Sequence, residues 1–193
     1  MRTTRRFLAV VALLLGGAAP AGVAQSGASD ARDGFFWGVL DGAGQGAPGC
    51  AAFAARLERT LSRLPDEELE RFAQGWAAWW DLSYRWDLWG AAYLINGGAS
   101  DDGFDYFRGW LLTRGSRAWA LAARDPDGAF DDVTPGTEAE CEDVVVALPV
   151  AYEERFGREA PDAGAREPGG TRWTETDLPR LLPRLAKRFG TQE

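Results

Sequence analysis

Apolar residues recur every three or four positions along most of this 193-residue chain, and no stretch shows the two-residue alternation of a half-buried strand. The spacing predicts helices throughout. Phe36 and Leu40 mark a short one after Gly34, broken by the glycines between Gly42 and Gly46. Pro48 suits the first turn of the next, which carries Phe53, Leu57, Leu61 and Leu64 on one face. Pro65-Asp66-Glu67-Glu68 opens a third, with acids where the helix macrodipole favours them. Leu69, Phe72, Trp76, Trp79 and Trp80 give that helix a strongly aromatic face.

The stretch from Arg85 to Ile95 is apolar nearly all round, which predicts a buried central helix. Asn96-Gly97-Gly98 ends it with residues that tolerate positive φ. Ser100 is a natural N-cap for a helix running to Arg114 and stopping at Gly115, and Ser116 then caps a short helix holding Trp119. Asp125-Pro126-Asp127-Gly128 reads as a turn. Thr137 and Glu140 have the spacing of a capping box, predicting a helix through Val144, Leu148, Tyr152 and Phe156 that Pro149 kinks. Gly157 to Thr171 is rich in Gly, Pro and charge and reads as a flexible connection. A last helix, Asp177 to Phe189, presents Leu178, Leu181, Leu182, Leu185 and Phe189 to the core. The fold class is all-α: a single compact helical domain (34–156) built around a buried aromatic helix pair, a flexible segment (157–176), and a short C-terminal helix (177–193) docking on the core.

The first residues read differently. Arg2, Arg5 and Arg6 precede the apolar run Phe7 to Ala19, and small residues up to Ala24 follow. That is the layout of a secretory signal peptide (1–24), followed by a polar linker (25–33), and it implies export to the periplasm or the medium. No membrane span is expected once the leader is gone. The chain carries 21 basic and 29 acidic residues, a net charge of −8. Loss of the three leader arginines deepens the imbalance. An acidic body repels phosphate backbones, so nucleic acid is not an expected partner; an unknown protein or a small neutral or cationic ligand fits better.

Candidate chemistry is sparse. The chain has no histidine, which removes the commonest general base and the usual hydrolase triads. Two cysteines, Cys50 and Cys141, lack Cys-x-x-Cys spacing, so zinc is not expected. Both fall in expected helices, and they read equally as an exported disulfide or as two buried thiols. No nucleotide-binding glycine motif is present and no cofactor is implied.

The densest stretch runs from Tyr84 to Gly115. Its W-D-L-W-x-A-A, G-G-x-S-D-D-x-F and F-R-x-W-L runs resemble the bacterial domain-of-unknown-function family 4240. Phe36-Trp37, Glu140-Cys141-Glu142-Asp143, Ala151-Tyr152-Glu153-Glu154 and Leu178-Pro179-Arg180-Leu181 extend the resemblance over roughly Gly34 to Phe189. Ala99 stands where many relatives are expected to have cysteine. The family implies no activity.

Within that stretch, Asp101, Asp102 and Asp105 open a helix, with Asp101 and Asp105 on one face about 6 Å apart along the axis. Carboxylates so placed suit a hard cation, but they also complement a helix N-terminus, and no second metal motif accompanies them. Arg108 can reach Asp105. Asp87, expected in a buried helix, needs Arg85 or Arg108 as a partner. Trp86, Trp89 and Tyr93 form an i, i+3, i+7 stripe that serves either as core or as a ring-lined cleft. The expectation is a non-enzymatic binding or interaction module using Trp86, Asp87, Trp89, Tyr93, Asp101, Asp102, Asp105 and Arg108. The alternative is an envelope hydrolase or metal-dependent enzyme using the carboxylates. The mature chain is expected to begin near Gln25. N-terminal sequencing of protein from its native host checks this, and intact Met1 in the cytoplasm contradicts it.

Overall fold

Helix formation follows the apolar spacing closely in the first half of the chain. The computed structural model describes residues 34–161 and 167–190. The expected leader and linker, and residues 162–166 of the expected flexible segment, lie outside the described residues. Among the described residues the protein is all helical, with one isolated bridge and no strand. Helix α1 covers residues 34–44. It is followed by α2 (Cys50–Leu61), α3 (Asp66–Ser83), α4 (Trp86–Asn96), α5 (Asp101–Thr113) and α6 (Gly115–Arg124). After a long irregular stretch come α7 (Glu142–Phe156), a 3-10 turn (Glu175–Asp177), α8 (Leu178–Leu181) and α9 (Pro183–Phe189).

Helix α7 is the spine. α2, α3 and α5 all pack on it, and α4 packs between α5 and α9. One contiguous core results, filled by Leu40, Phe53, Leu57, Phe72, Leu88, Phe104, Phe107, Leu111, Val144, Leu148 and Leu178 among others. One close approach requires glycine, and a second is tight against leucine methyls. A Cβ at Gly109 of α5 would stand 2.4 Å from the Cys141 carbonyl oxygen and 2.8 Å from Val145 of α7. A Cβ at Gly90 of α4 would stand 2.9 Å from Leu178 and 3.0 Å from Leu182.

The local signals mostly hold. Pro65 precedes α3, whose first turn carries Asp66, Glu67 and Glu68. Gly97, at φ 71°, ends α4. The Ser100 hydroxyl accepts from the Gly103 N–H and opens α5. Pro149 lies inside α7. Other expectations are corrected. Pro48 sits ahead of α2 rather than in its first turn. Ser116 is not a cap: the Asp41 carboxylate of α1 accepts from both its N–H and its hydroxyl, at 3.3 and 3.1 Å. Thr137 and Glu140 form no capping box, and α7 starts only at Glu142. The preceding backbone is held instead by tertiary bonds. The Asn96 side chain accepts from Ala139 N–H at 3.0 Å, and Tyr106 O accepts from Cys141 N–H at 2.9 Å.

The expected final helix is two short ones. Leu182 leaves the helical region at φ −131°, ψ 63°, and Pro183 starts α9. The segment before them, read as flexible from its composition, is pinned from Gly169 onward. Gly169 exchanges backbone hydrogen bonds with Tyr84 and Trp86, and Trp173 donates its indole N–H to Trp86 O.

Cys50, the first residue of α2, and Cys141, just before α7, form a disulfide with Cα atoms 5.6 Å apart, closing a loop of 91 residues. It ties together two helix N-termini on the spine. A crosslink across so long a loop stabilises chiefly by restricting the unfolded chain. Replacing both cysteines with serine is expected to lower unfolding stability by roughly 2–4 kcal/mol. Urea midpoints of wild type and double variant measure this, and coincident midpoints contradict it.

Candidate functional site

The most tightly held charged group is Arg108, near the middle of α5, with 2% of its surface exposed. Its guanidinium lies 3.9 Å from the Trp80 ring centroid, with the Tyr84 and Phe104 rings at 5.3 and 5.5 Å. Nε donates to the Ser83 hydroxyl at 3.0 Å, one terminal nitrogen donates to Asp105 at 2.7 Å, and the other donates to Trp80 O. Burial lowers its pKa from the ordinary value to about 10, against the opposing pull of Asp105. Burial also raises Asp105, outweighing Arg108, with Asp102 and Asp101 pushing the same way. The Tyr84 hydroxyl is raised by burial and by Asp101 and Asp105. Five donors in a flat fork on an aromatic bed suit arginine and not lysine.

The structure separates the other candidate residues. Asp101 and Asp102 are exposed in the first turn of α5, and only Asp105 turns inward to Arg108. No group of three or more acidic or thiol side chains able to hold a metal occurs among the described residues. Asp87 is not deeply buried as expected: its side chain is 41% exposed, and Arg85, not Arg108, binds both its oxygens. The aromatic stripe is half-buried. Trp86, Trp89 and Phe104 stack in sequence at 5.3 and 4.8 Å. Trp173, unnoticed in the sequence, packs edge-on against Trp86 and Tyr93. It covers the stripe, leaving a cavity of about 220 Å³ beside Asp87, lined by Trp173, Leu178, Leu181 and Leu182. An isolated Trp in a polar run was the signal available for this cover.

A second feature escaped the sequence reading. On the outer side of α7, Val146, Pro149 and Val150 are exposed, the two valines at 44% and 52%. A groove flanks each side of this ridge. The one toward α2 is about 540 Å³ and is lined by Glu58, Arg59, Ser62, Ala147, Val150, Ala151, Glu154 and Arg155. The one toward α3 is about 420 Å³ and is lined by Trp76, Ala77, Trp80, Leu148, Pro149, Glu153, Glu159, Ala160 and Pro161. Trp80 thus joins the two features, since it bears the Arg108 guanidinium and also reaches the groove wall.

A family model described as "protein of unknown function (DUF4240)" matches residues 32–154, more than half the chain. The chain belongs to the DUF4240 family. Among curated proteins and among solved structures, none matches significantly. The DUF4240 span takes in α1 to α6, the Arg108 cluster, both cysteines and all but the last two residues of α7. The Trp173 segment, α8 and α9 follow it, so the Leu178-Pro179-Arg180-Leu181 run lies beyond the matched span.

Arg108→Ala is expected to destabilise this DUF4240 protein by about 3 kcal/mol, the low end for breaking a buried pair. Asp105 is 40% exposed, which screens the ion pair. The larger part of the loss comes from the emptied aromatic bed and from the Ser83 hydroxyl and Trp80 carbonyl left without a donor. Arg108→Lys is expected to recover only part of it. Chemical denaturation measures both, and a loss for the alanine variant below about 1 kcal/mol contradicts the assignment.

Proposed function

We propose that this protein is an exported, non-enzymatic binding module that docks a partner protein on the outer face of α7. The observation that carries this reading is the uncovered apolar stripe Val146-Pro149-Val150 with a groove on either side. Exposed single apolar residues are ordinary. Leu82, Leu121 and Leu181, also exposed, stand on three separate helices. On α7 such residues are neighbours on a rigid element fixed at its start by a disulfide, and contiguous apolar surface of that kind marks interaction sites.

Export rests on the basic start and apolar run of the first 24 residues, and a disulfide suits an oxidising compartment. No described helix is long and apolar enough to cross a membrane. Carboxylate catalysis finds less support. Asp105 is committed to Arg108 and Asp87 to Arg85, while Asp101 and Asp102 stand exposed where they complement the α5 N-terminus.

A photo-crosslinking side chain at position 150 tests the docking face in the native host. It is expected to give a discrete adduct with one partner protein, and the same group at position 121 is expected to give none. Equal adducts at the two positions, or none at 150, count against the docking face.

A further inference from the structure

The charges along α7 say what the partner must bring. Glu142 and Asp143 open the helix, Val146, Pro149 and Val150 follow, and Glu153 and Glu154 close it; all are exposed. Spacings of three and four place them on one side of the helix, with roughly 16 Å from the first acids to the last. Glu142 and Asp143 suit their position, because carboxylates at a helix N-terminus complement the macrodipole. Glu153 and Glu154 do not. They lie in the last turn, where the macrodipole opposes negative charge. The basic residue of that turn, Arg155, is turned away to Asp66 and to the carbonyls of Leu64 and Ser62. Neither glutamate has a cationic partner among the described residues, and the same is true of Glu159.

Glu153 and Glu159 are the charged residues of the α3-side groove, whose remaining walls are apolar and include Trp76, Trp80 and Pro149. A carboxylate beside apolar walls attracts a cation more strongly than one in open water. Arginine and lysine fit such a site in two parts, with the methylene stem along the apolar wall and the charged head at the rim. The α2-side groove mixes Glu58 and Glu154 with Arg59 and Arg155, and so offers no preference of sign. The net charge of −8 draws a basic segment toward the surface in addition.

We propose that the α7 ridge receives a segment of a partner protein that is apolar in its middle and basic at its ends, with one Arg or Lys seated between Glu153 and Glu159. This rests on the docking face proposed above and adds the chemistry of its occupant.

The probe is a short fluorescent peptide with a Leu-Val centre and arginines at both ends, titrated against the disulfide-intact protein. Saturable binding is expected, weakening with salt. Citrulline in place of the arginines, or Glu153→Gln with Glu159→Gln in the protein, is expected to weaken it at least about tenfold. Val150→Asp is expected to abolish it. Melting temperatures of the variants establish that they fold. Equal binding of arginine and citrulline peptides overturns the charge assignment and leaves the docking face standing. Absence of saturable binding by the arginine peptide overturns it as well. In that case the adduct at position 150 decides separately whether the docking face survives.

Discussion

Arg108 places a positive charge inside the core, and the surrounding helices are arranged around that charge. An unpaired buried charge is prohibitive, so each nitrogen must find an acceptor and each face of the guanidinium plane a favourable neighbour. Asp105 one turn earlier on α5, Ser83 and the Trp80 carbonyl near the end of α3, and the rings of Trp80, Tyr84 and Phe104 meet those needs together. The end of α3, the Tyr84 corner and the middle of α5 are therefore fixed relative to one another. From Phe104 the ring stack continues to Trp89 and Trp86, which carries the order into α4. Trp173 then closes on Trp86, and α8 and α9 follow it onto the core.

A second constraint acts at the other side of α5. Gly109 lets the chain before α7 come within backbone contact, and the Tyr106 carbonyl accepts from Cys141 there. The adjoining disulfide fixes α2 to the same point. The start of α7 is thus held by a close packing, a hydrogen bond and a covalent link. Its far end is held by Tyr152, whose hydroxyl donates to Glu70, and by Arg155 bound to Asp66, both partners being on α3. A helix anchored at both ends presents its middle as a rigid surface, which lowers the ordering cost of binding.

Much of the fold was legible because its signals are local. The periods of Phe53-Leu57-Leu61 and Leu69-Phe72-Trp76-Trp79 gave α2 and α3. Gly97 and Ser100 gave the boundary between α4 and α5. What failed was decided by residues far away in the chain. The first turn of α6 is served by Asp41 from α1, and the first N–H groups of α9 by Asp127, at 2.9 and 3.0 Å, so neither start carries its own signal. Thr137 and Glu140 had the right letters for a helix start, yet the Ala139 N–H between them is bound by Asn96 and the helix begins only at Glu142. Trp173 was hidden by its setting among Gly, Pro and charge, where composition argues for a free linker. The Arg108–Asp105 pair could be read from spacing alone, but its aromatic bed could not, because Trp80 and Tyr84 come from a different element. The α7 ridge was invisible for a related reason: Val146 and Val150 look like core until the packing shows which side of the helix the core occupies.

The distribution of acids then separates structural charge from surplus charge. Asp66, Glu67 and Glu68 on α3, Asp101 and Asp102 on α5, and Glu142 and Asp143 on α7 all stand in first turns. There they favour the helices that carry them. Asp41, Asp105 and Asp127 are bound to named partners within the fold. By contrast, Glu153 and Glu154 sit where the macrodipole disfavours them, at a cost of about 0.3–1 kcal/mol each when exposed. Glu159 lies close by on the same groove wall as Glu153. No ion pair among the described residues uses these three, and replacing Glu153 or Glu154 with glutamine would relieve the helix end. Residues that work against the fold are where binding is most economically sought. Here they border the one rigid apolar ridge among the described helices, so the misplaced charge and the uncovered surface point to the same face.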